Sequence, residues 1–292
     1  MSKTDISVNE LISKVQRGEL RLPEMQRRYV WTATRVRDLL DSLYREYPSG
    51  TILVWETDEN IETREMAVNA TESPTTSQKL LLLDGQQRIT SLSAVITGNP
   101  VTVRKRKRPV EILFNIAHPD GNSIEFSEIE ENGTFDSEEF EEMEAEEVED
   151  RDSEEDDSSD SEILEDIKKL TFVVESKSLM NDPRWVKVSE IFVKSDTEIL
   201  RKLKMNSDHE DWDMFSQRLQ KVRKIKEYQY VMQVLEKNKT YEEVTEIFVR
   251  VNSLGIKLRG TDLALAQITS RWKGFMKDIE LFQKNSKMKM IT

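Results

Sequence analysis

A chain of 292 residues, 37% of them hydrophobic, is long enough to form one large domain or two smaller ones, and its lack of cysteine excludes disulfides and thiolate metal sites. The only imidazoles, His118 and His209, stand far apart in unlike contexts, which argues against a histidine metal centre. The net charge of −13 is concentrated: residues 137–166 hold 18 Asp or Glu against the single Arg151, a net −17, which leaves the remaining residues at a mildly basic +4.

Along the chain, Ser7 and Glu10 stand at capping-box spacing and open a helix that ends near Gly18. Leu20–Pro23 reads as extended, because the residue before a proline avoids the helical region. Thr32 is placed to cap a second helix with Val36, Leu39, Leu40, Leu43 and Tyr44 on one stripe, closed by Tyr47-Pro48-Ser49-Gly50. Thr51–Trp55 reads as a strand and residues 57–78 as polar loop. Leu80–Leu83 is a buried strand, Asp84-Gly85 a turn, and Ile89, Leu92, Val95 and Ile96 recur at helical spacing until Gly98-Asn99-Pro100. Five consecutive cations, Arg104 to Arg108, precede a strand over Val110–Ile116. Residues 121–161 combine few apolar anchors with like charge, the composition of a disordered or mobile loop. That insert reads as a solvated spacer, as an imitation of nucleic acid that covers a basic groove, or as a docking tail for another protein. Phe172–Val174 and Trp185–Val188 bracket a second, short β region. Residues 195–226 read as helices, Tyr228–Met232 as a returning strand, and Tyr241–Val251 and Leu263–Trp272 as two further helices. There is no internal repeat.

The richest chemistry lies where Leu83 meets Asp84. A strand that turns sharply into a helix aims free backbone N–H groups and the positive end of the helix dipole at one point, a ready anion site. Arg88 in the first helical turn adds a forked, permanently charged donor set suited to phosphate, with a salt bridge to a nearby carboxylate as the plain alternative. Asp84 either caps the helix by accepting from the N–H of Gln86 or Gln87, or holds Mg²⁺ or a water against a γ-phosphate. Gly85 supplies positive φ and close backbone approach, as any turn glycine does. Gln86 and Gln87 cannot act as bases but can orient water or bind phosphate oxygens.

Gln26, Arg27 and Arg28 stand beside Tyr29, Val30 and Trp31, and arginines flanked by aromatics suit phosphate contact and base stacking; the aromatics also suit a core. The run Arg104, Lys105, Arg106, Lys107, Arg108 fits sequence-independent contact with DNA, or a charged strand edge. Gly255–Thr261 has P-loop-like glycine spacing but lacks the lysine after the second glycine and follows a helix, so it is not a P-loop. Arg250 and Asn252 stand at a helix end. No Ser-His-Asp or Cys-His arrangement can be assembled. No apolar stretch approaches the ~20 residues that span a bilayer, and the first residues lack a signal-peptide pattern, so the expectation is a cytoplasmic protein without membrane contact.

Three stretches taken together carry a family likeness: Leu22-Pro23-Glu24-Met25-Gln26-Arg27-Arg28-Tyr29-Val30-Trp31, Leu83-Asp84-Gly85-Gln86-Gln87-Arg88-Ile89-Thr90-Ser91-Leu92, and Ile247–Gly255 leading to Asp262-Leu263. From about residue 5 to 272 the chain resembles the N-terminal domain of GmrSD-type modification-dependent restriction proteins, itself similar to the ParB/sulfiredoxin fold. The resemblance implies an α/β (α+β) fold: a ParB/sulfiredoxin-like nucleotide-binding core over 1–126, the acidic insert over 127–166, and a short β region with a helical subdomain over 167–292. It also implies nucleotide binding, often hydrolysis, in defence against phage DNA with modified bases or backbone. The implied nucleotide site is Gln26, Arg27, Tyr29, Gly85, Arg88, Thr90, Arg250 and Asn252. Asp84, Gln86 and Gln87 are its catalytic candidates, Asp84 its Mg²⁺ ligand, and the base is unassigned. Relatives carry a histidine-dependent HNH-type nuclease domain; this chain has no His-x-x-Pro, so an effector nuclease is expected beyond Thr292 or on another chain. The rival readings are a DNA-binding sensor without turnover, a nuclease acting through the ParB-like pocket, and a regulator whose insert imitates DNA.

Overall fold

The structure, a computed structural model, describes residues 1–24, 26, 29–59, 61, 63–64, 79–103, 109–119, 167–176, 179–205 and 207–253, together with scattered positions between 264 and 282. The chain starts with β1 (Ser2–Ser7), α1 (Val8–Gln16) and β2 (Leu20–Pro23), then α2 (Ala33–Tyr44), β3 (Ile52–Thr57) and β4 (Thr63–Arg64). Strand β5 (Lys79–Asp84) leads into α3 (Gln86–Ile96), and β6 (Ile112–Asn115) follows. After the insert come β7 (Phe172–Val174), β8 (Trp185–Lys187), α4 (Val188–Val193), α5 (Asp196–Lys202), α6 (Trp212–Arg223), β9 (Gln229–Leu235) and α7 (Tyr241–Ser253). The mixed α/β character expected of the chain is what these elements form.

Among the described residues a six-stranded mixed sheet has the order β1-β9-β3-β5-β2-β4. Strand β9 lies parallel to β3, β2 parallel to β5, and the other pairs are antiparallel. A three-stranded antiparallel sheet, β7-β6-β8, packs beside it. Both faces of the large sheet are covered, which explains the leucine run. Leu82 faces the main core with Ile52 and Val54, under α1, α2 and α3, whereas Leu81 and Leu83 face a second core with Leu53 and Trp55, closed by Tyr241, Val244 and Phe248 of α7. Each leucine so buried contributes about 1.5–3 kcal/mol. The small sheet divides likewise: Phe114 and Phe172 meet Tyr44 of α2, while Leu113, Val173 and Trp185 form a separate cluster with Leu179.

The cap expected of Ser7 is present, its Oγ accepting from the Glu10 N–H at 3.1 Å, and Thr32 is the N-cap residue of α2 but makes no side-chain cap bond. The polar stretch expected as loop contains the two-residue strand β4, paired to Leu22 and Pro23. The helix expected over Leu263–Trp272, the cations of 104–108 and the acidic insert lie outside the described residues, apart from isolated positions of the first. Among the described residues, no helix is long and apolar enough to cross a membrane.

Candidate functional site

The site is built on the junction of β5 and α3. Asp84 ends the strand and Gly85, at φ +100°, is the N-cap residue. A side chain is excluded there twice over: the backbone is left-handed, and a Cβ would stand 2.5 Å from Ile52 Cδ1. The Ile89 N–H donates to the Gly85 carbonyl at 3.0 Å and starts the helix, so the N–H groups of Gln86, Gln87 and Arg88 have no acceptor within it, and no side chain caps them. The capping expected of Asp84 is therefore not observed. It stands one residue too early to cap, and its i,i+4 spacing sets it beside Arg88 instead, with Oδ2 accepting from Nη2 at 3.1 Å.

Arg88 is more committed than its sequence position implies. Its side chain is 13% exposed. Nη1 donates to the Ser49 carbonyl at 2.5 Å and Nη2 to the Thr51 carbonyl at 2.7 Å, so the guanidinium clamps the loop between α2 and β3 onto the α3 head. Gly50 of that loop is at φ +90°, and a Cβ there would stand 2.5 Å from Nη1. From the other side Tyr228 accepts from the Ser49 N–H (3.2 Å) and donates to the Tyr47 carbonyl (3.1 Å), while the Ser49 hydroxyl donates to Tyr230 Oη at 2.9 Å. The Tyr230 ring lies 5.7 Å from the guanidinium carbon. Burial pushes the Tyr230 hydroxyl up from its ordinary pKa, with Ser49 opposing. Ser49, Gly50, Thr51, Tyr228 and Tyr230 were not singled out from sequence as site residues. The Tyr47-Pro48-Ser49-Gly50 stretch was read only as the end of the second helix.

The segment that includes Gln26, Tyr29 and Trp31 closes the opposite side. Gln26 is buried, and its Nε2 donates to the carbonyls of Leu82 (3.0 Å) and Leu83 (2.7 Å) at the end of β5. Gln87 is buried too, and its Oε1 accepts from two successive backbone N–H groups, Val30 at 2.8 Å and Trp31 at 3.1 Å; its Nε2 is buried without a partner. Ser91 donates to the Gln87 carbonyl at 2.8 Å and accepts from the Tyr29 hydroxyl at 2.7 Å. Burial pushes the Tyr29 hydroxyl up to about 12, opposed by the Ser91 bond. Nearby Glu24, also buried, accepts from the Gly274 N–H at 3.1 Å. Burial first, and then the charge of Glu24, push Tyr241 up to about 12.

The structure thus brings together Gln26, Tyr29, Asp84, Gly85, Gln87 and Arg88. Gln86 is buried in the first turn of α3 and Thr90 is half-buried one turn on. Arg250 is exposed on α7 and pairs with Glu246 at 2.5 Å rather than with any of these residues. Asn252 is on α7, and its side chain lies outside the described residues, as do Arg27 and Arg104, Lys105, Arg106, Lys107 and Arg108. No group of three or more His, Asp or Glu stands ready for a metal among the described residues. Asp84, with a side chain 36% exposed, is the carboxylate at the turn. Mg²⁺ typically takes one or two protein carboxylates plus phosphate oxygens, and that donor set fits one carboxylate beside free N–H groups.

Residues 8–269 match the family model described as GmrSD restriction endonuclease, N-terminal domain. The chain is also 27% identical over 301 aligned positions to the uncharacterised protein MJ0686 of Methanocaldococcus jannaschii, an alignment that covers 96% of this chain and 44% of that protein. The chain therefore spans less than half the length of that relative.

Proposed function

The chain belongs to the family of GmrSD restriction endonuclease N-terminal domains, and from that premise we propose that it is the nucleotide-binding, NTP-hydrolysing module of a GmrSD-like anti-phage restriction system. The observation that carries the reading is the β5–Gly85–α3 junction, where the N–H groups of Gln86, Gln87 and Arg88 face outward from the helix start without an intrahelical acceptor. Three converging N–H groups and the helix dipole suit the phosphates of a nucleotide. Arg88 contributes positive charge at that point while its Nη groups hold the loop carbonyls. Asp84 is the residue that would hold Mg²⁺ together with phosphate oxygens, and Gln86 is the amide that would orient a water. Contact with DNA through the cations of 104–108 belongs to the same proposal and rests on their charge alone. So does an effector nuclease elsewhere in the whole protein or on a partner chain.

The test is calorimetric titration of the full chain with ATP, GTP, CTP and UTP, each with Mg²⁺, against the four nucleosides. Binding of at least one triphosphate and of no nucleoside is the expected result, followed by phosphate release on prolonged incubation. Absence of binding by all four triphosphates overturns the proposal.

A further inference from the structure

Gln87 reads from sequence as a catalytic amide, but its contacts assign it another task. Its Oε1 is fully occupied by the N–H groups of Val30 and Trp31. Neither N–H is spent on a strand or a helix, since Val30 and Trp31 belong to no regular element. The same segment is held at its start by Gln26, whose amide donates to the carbonyls of Leu82 and Leu83, and in its middle by the Tyr29 hydroxyl on Ser91. All these attachments end on β5 or α3. Leu82, Leu83 and Gln87 thereby hold the two ends of the Gln26–Trp31 segment, whose sequence includes Arg27 and Arg28.

We infer that Gln87 is a positioning residue: it holds the Gln26–Trp31 segment against the head of α3, and it serves nucleotide binding through that segment rather than by touching the nucleotide. The inference deepens the proposed nucleotide site and rests on that reading for its functional half; the anchoring half stands independently. The geometry supports it in two ways. One acceptor atom takes two consecutive N–H groups, a fork that a backbone carbonyl in a regular element does not offer. The Nε2 atom, in contrast, is sealed from solvent and has no partner, so the part of the amide that would donate to a phosphate is not presented to one. An ordered segment also removes a conformational cost: if it is in place in only a tenth of molecules, apparent affinity falls about tenfold.

The experiment uses the full chain and three variants, Gln87→Leu, Gln87→Glu and Tyr29→Phe. Hydrogen exchange of the Val30 and Trp31 amides is read without nucleotide, and affinity is then read with ATP, GTP, CTP and UTP plus Mg²⁺. Gln87→Leu removes the acceptor and is expected to lower protection of both amides by roughly tenfold or more, and affinity by about tenfold. Gln87→Glu keeps two acceptor oxygens and should restore protection. Tyr29→Phe leaves Gln87 intact yet frees the middle of the segment, so it should weaken affinity as well. Unchanged protection in Gln87→Leu overturns the inference. So does full affinity in Tyr29→Phe alongside loss in both Gln87 variants, because Gln87 then acts on the ligand directly through its amide. If the unaltered chain binds none of the four triphosphates, the proposed function falls, and exchange alone still decides whether Gln87 anchors the segment.

Discussion

Replacing Arg88 with alanine is expected to destabilise the fold before it affects any ligand. The guanidinium donates to the Ser49 carbonyl, which is partly buried, and to the Thr51 carbonyl, which is more exposed. A hydrogen bond from a charged group contributes about 1.5–3 kcal/mol when buried, and about 1 kcal/mol or less is reasonable for the exposed one. The pairing with Asp84, whose side chain is 36% exposed, is screened by solvent and adds about 0.2–1 kcal/mol. The total is about 2–5 kcal/mol, which for a chain of this size corresponds to a drop in Tm of roughly 3–8 °C. Urea unfolding followed by tryptophan fluorescence measures it, and Arg88→Lys should fall between the two, because one ammonium keeps the charge but cannot fork to both carbonyls. An Arg88→Ala protein within about 0.5 kcal/mol of the parent would refute the clamp. The consequence for function is direct. Loss of nucleotide binding in Arg88→Ala cannot by itself be credited to a lost phosphate contact, whereas loss in Arg88→Lys at near-normal stability can.

Gly85→Ala should cost about 2–4 kcal/mol in urea unfolding, from the left-handed backbone and the collision with Ile52, and Ile52→Val in the same chain should recover part of it. The high hydroxyl pKa of buried Tyr29 predicts a pH effect. The folded state keeps its proton up to about 12 while the unfolded chain loses it near 10, so this contribution is complete below pH 10 and disappears as pH rises from 10 to 12. Tyr29→Phe should therefore flatten the fall of stability in that window, and an identical slope would contradict it; Tyr241, also pushed up to about 12, remains as the internal comparison. Phe248→Ala, which opens the second core under α7, should cost about 3–5 kcal/mol by the same unfolding measurement.

What the sequence made legible, and what it hid, follows from the kind of interaction involved. Helices α2 and α3 were visible because their apolar residues repeat at helical spacing and end on one core, and α1 because Ser7 and Glu10 stand at capping-box spacing. Strand β5 was visible because both of its faces are buried, so it carries leucine at four consecutive positions, Leu80 to Leu83. Strand β1 was not, because Ser2, Lys3, Thr4 and Asp5 are all exposed at the sheet edge and no apolar alternation remains. Helix α4 was hidden for the opposite reason: Trp185, Val186 and Val188 form one apolar run that continues from β8 into the helix. At the site, the residue types of the turn could be read, but their partners could not. Arg88 meets the carbonyls of Ser49 and Thr51, Gln26 those of Leu82 and Leu83, and Gln87 the N–H groups of Val30 and Trp31. Backbone groups are the same in every sequence, so a side chain that binds them leaves no complementary residue to notice.

That pattern decides how the Asp84–Arg88 turn has to be tested. Asp84 is paired with Arg88, Arg88 with the loop, and Gln87 with the Val30–Trp31 backbone, so three of its four polar side chains hold the structure together. What is left to meet an anion is chiefly backbone: the N–H groups at the start of α3, with Gly85 adding no side chain of its own. Side-chain substitutions across the motif will therefore all lower binding, and for reasons that begin with folding. The ligand side separates the two effects cleanly. A site made of backbone N–H groups and a helix dipole discriminates by phosphate charge, so affinity should rise from nucleoside to monophosphate to triphosphate and weaken with added salt, while the unfolding midpoint without ligand stays the same throughout.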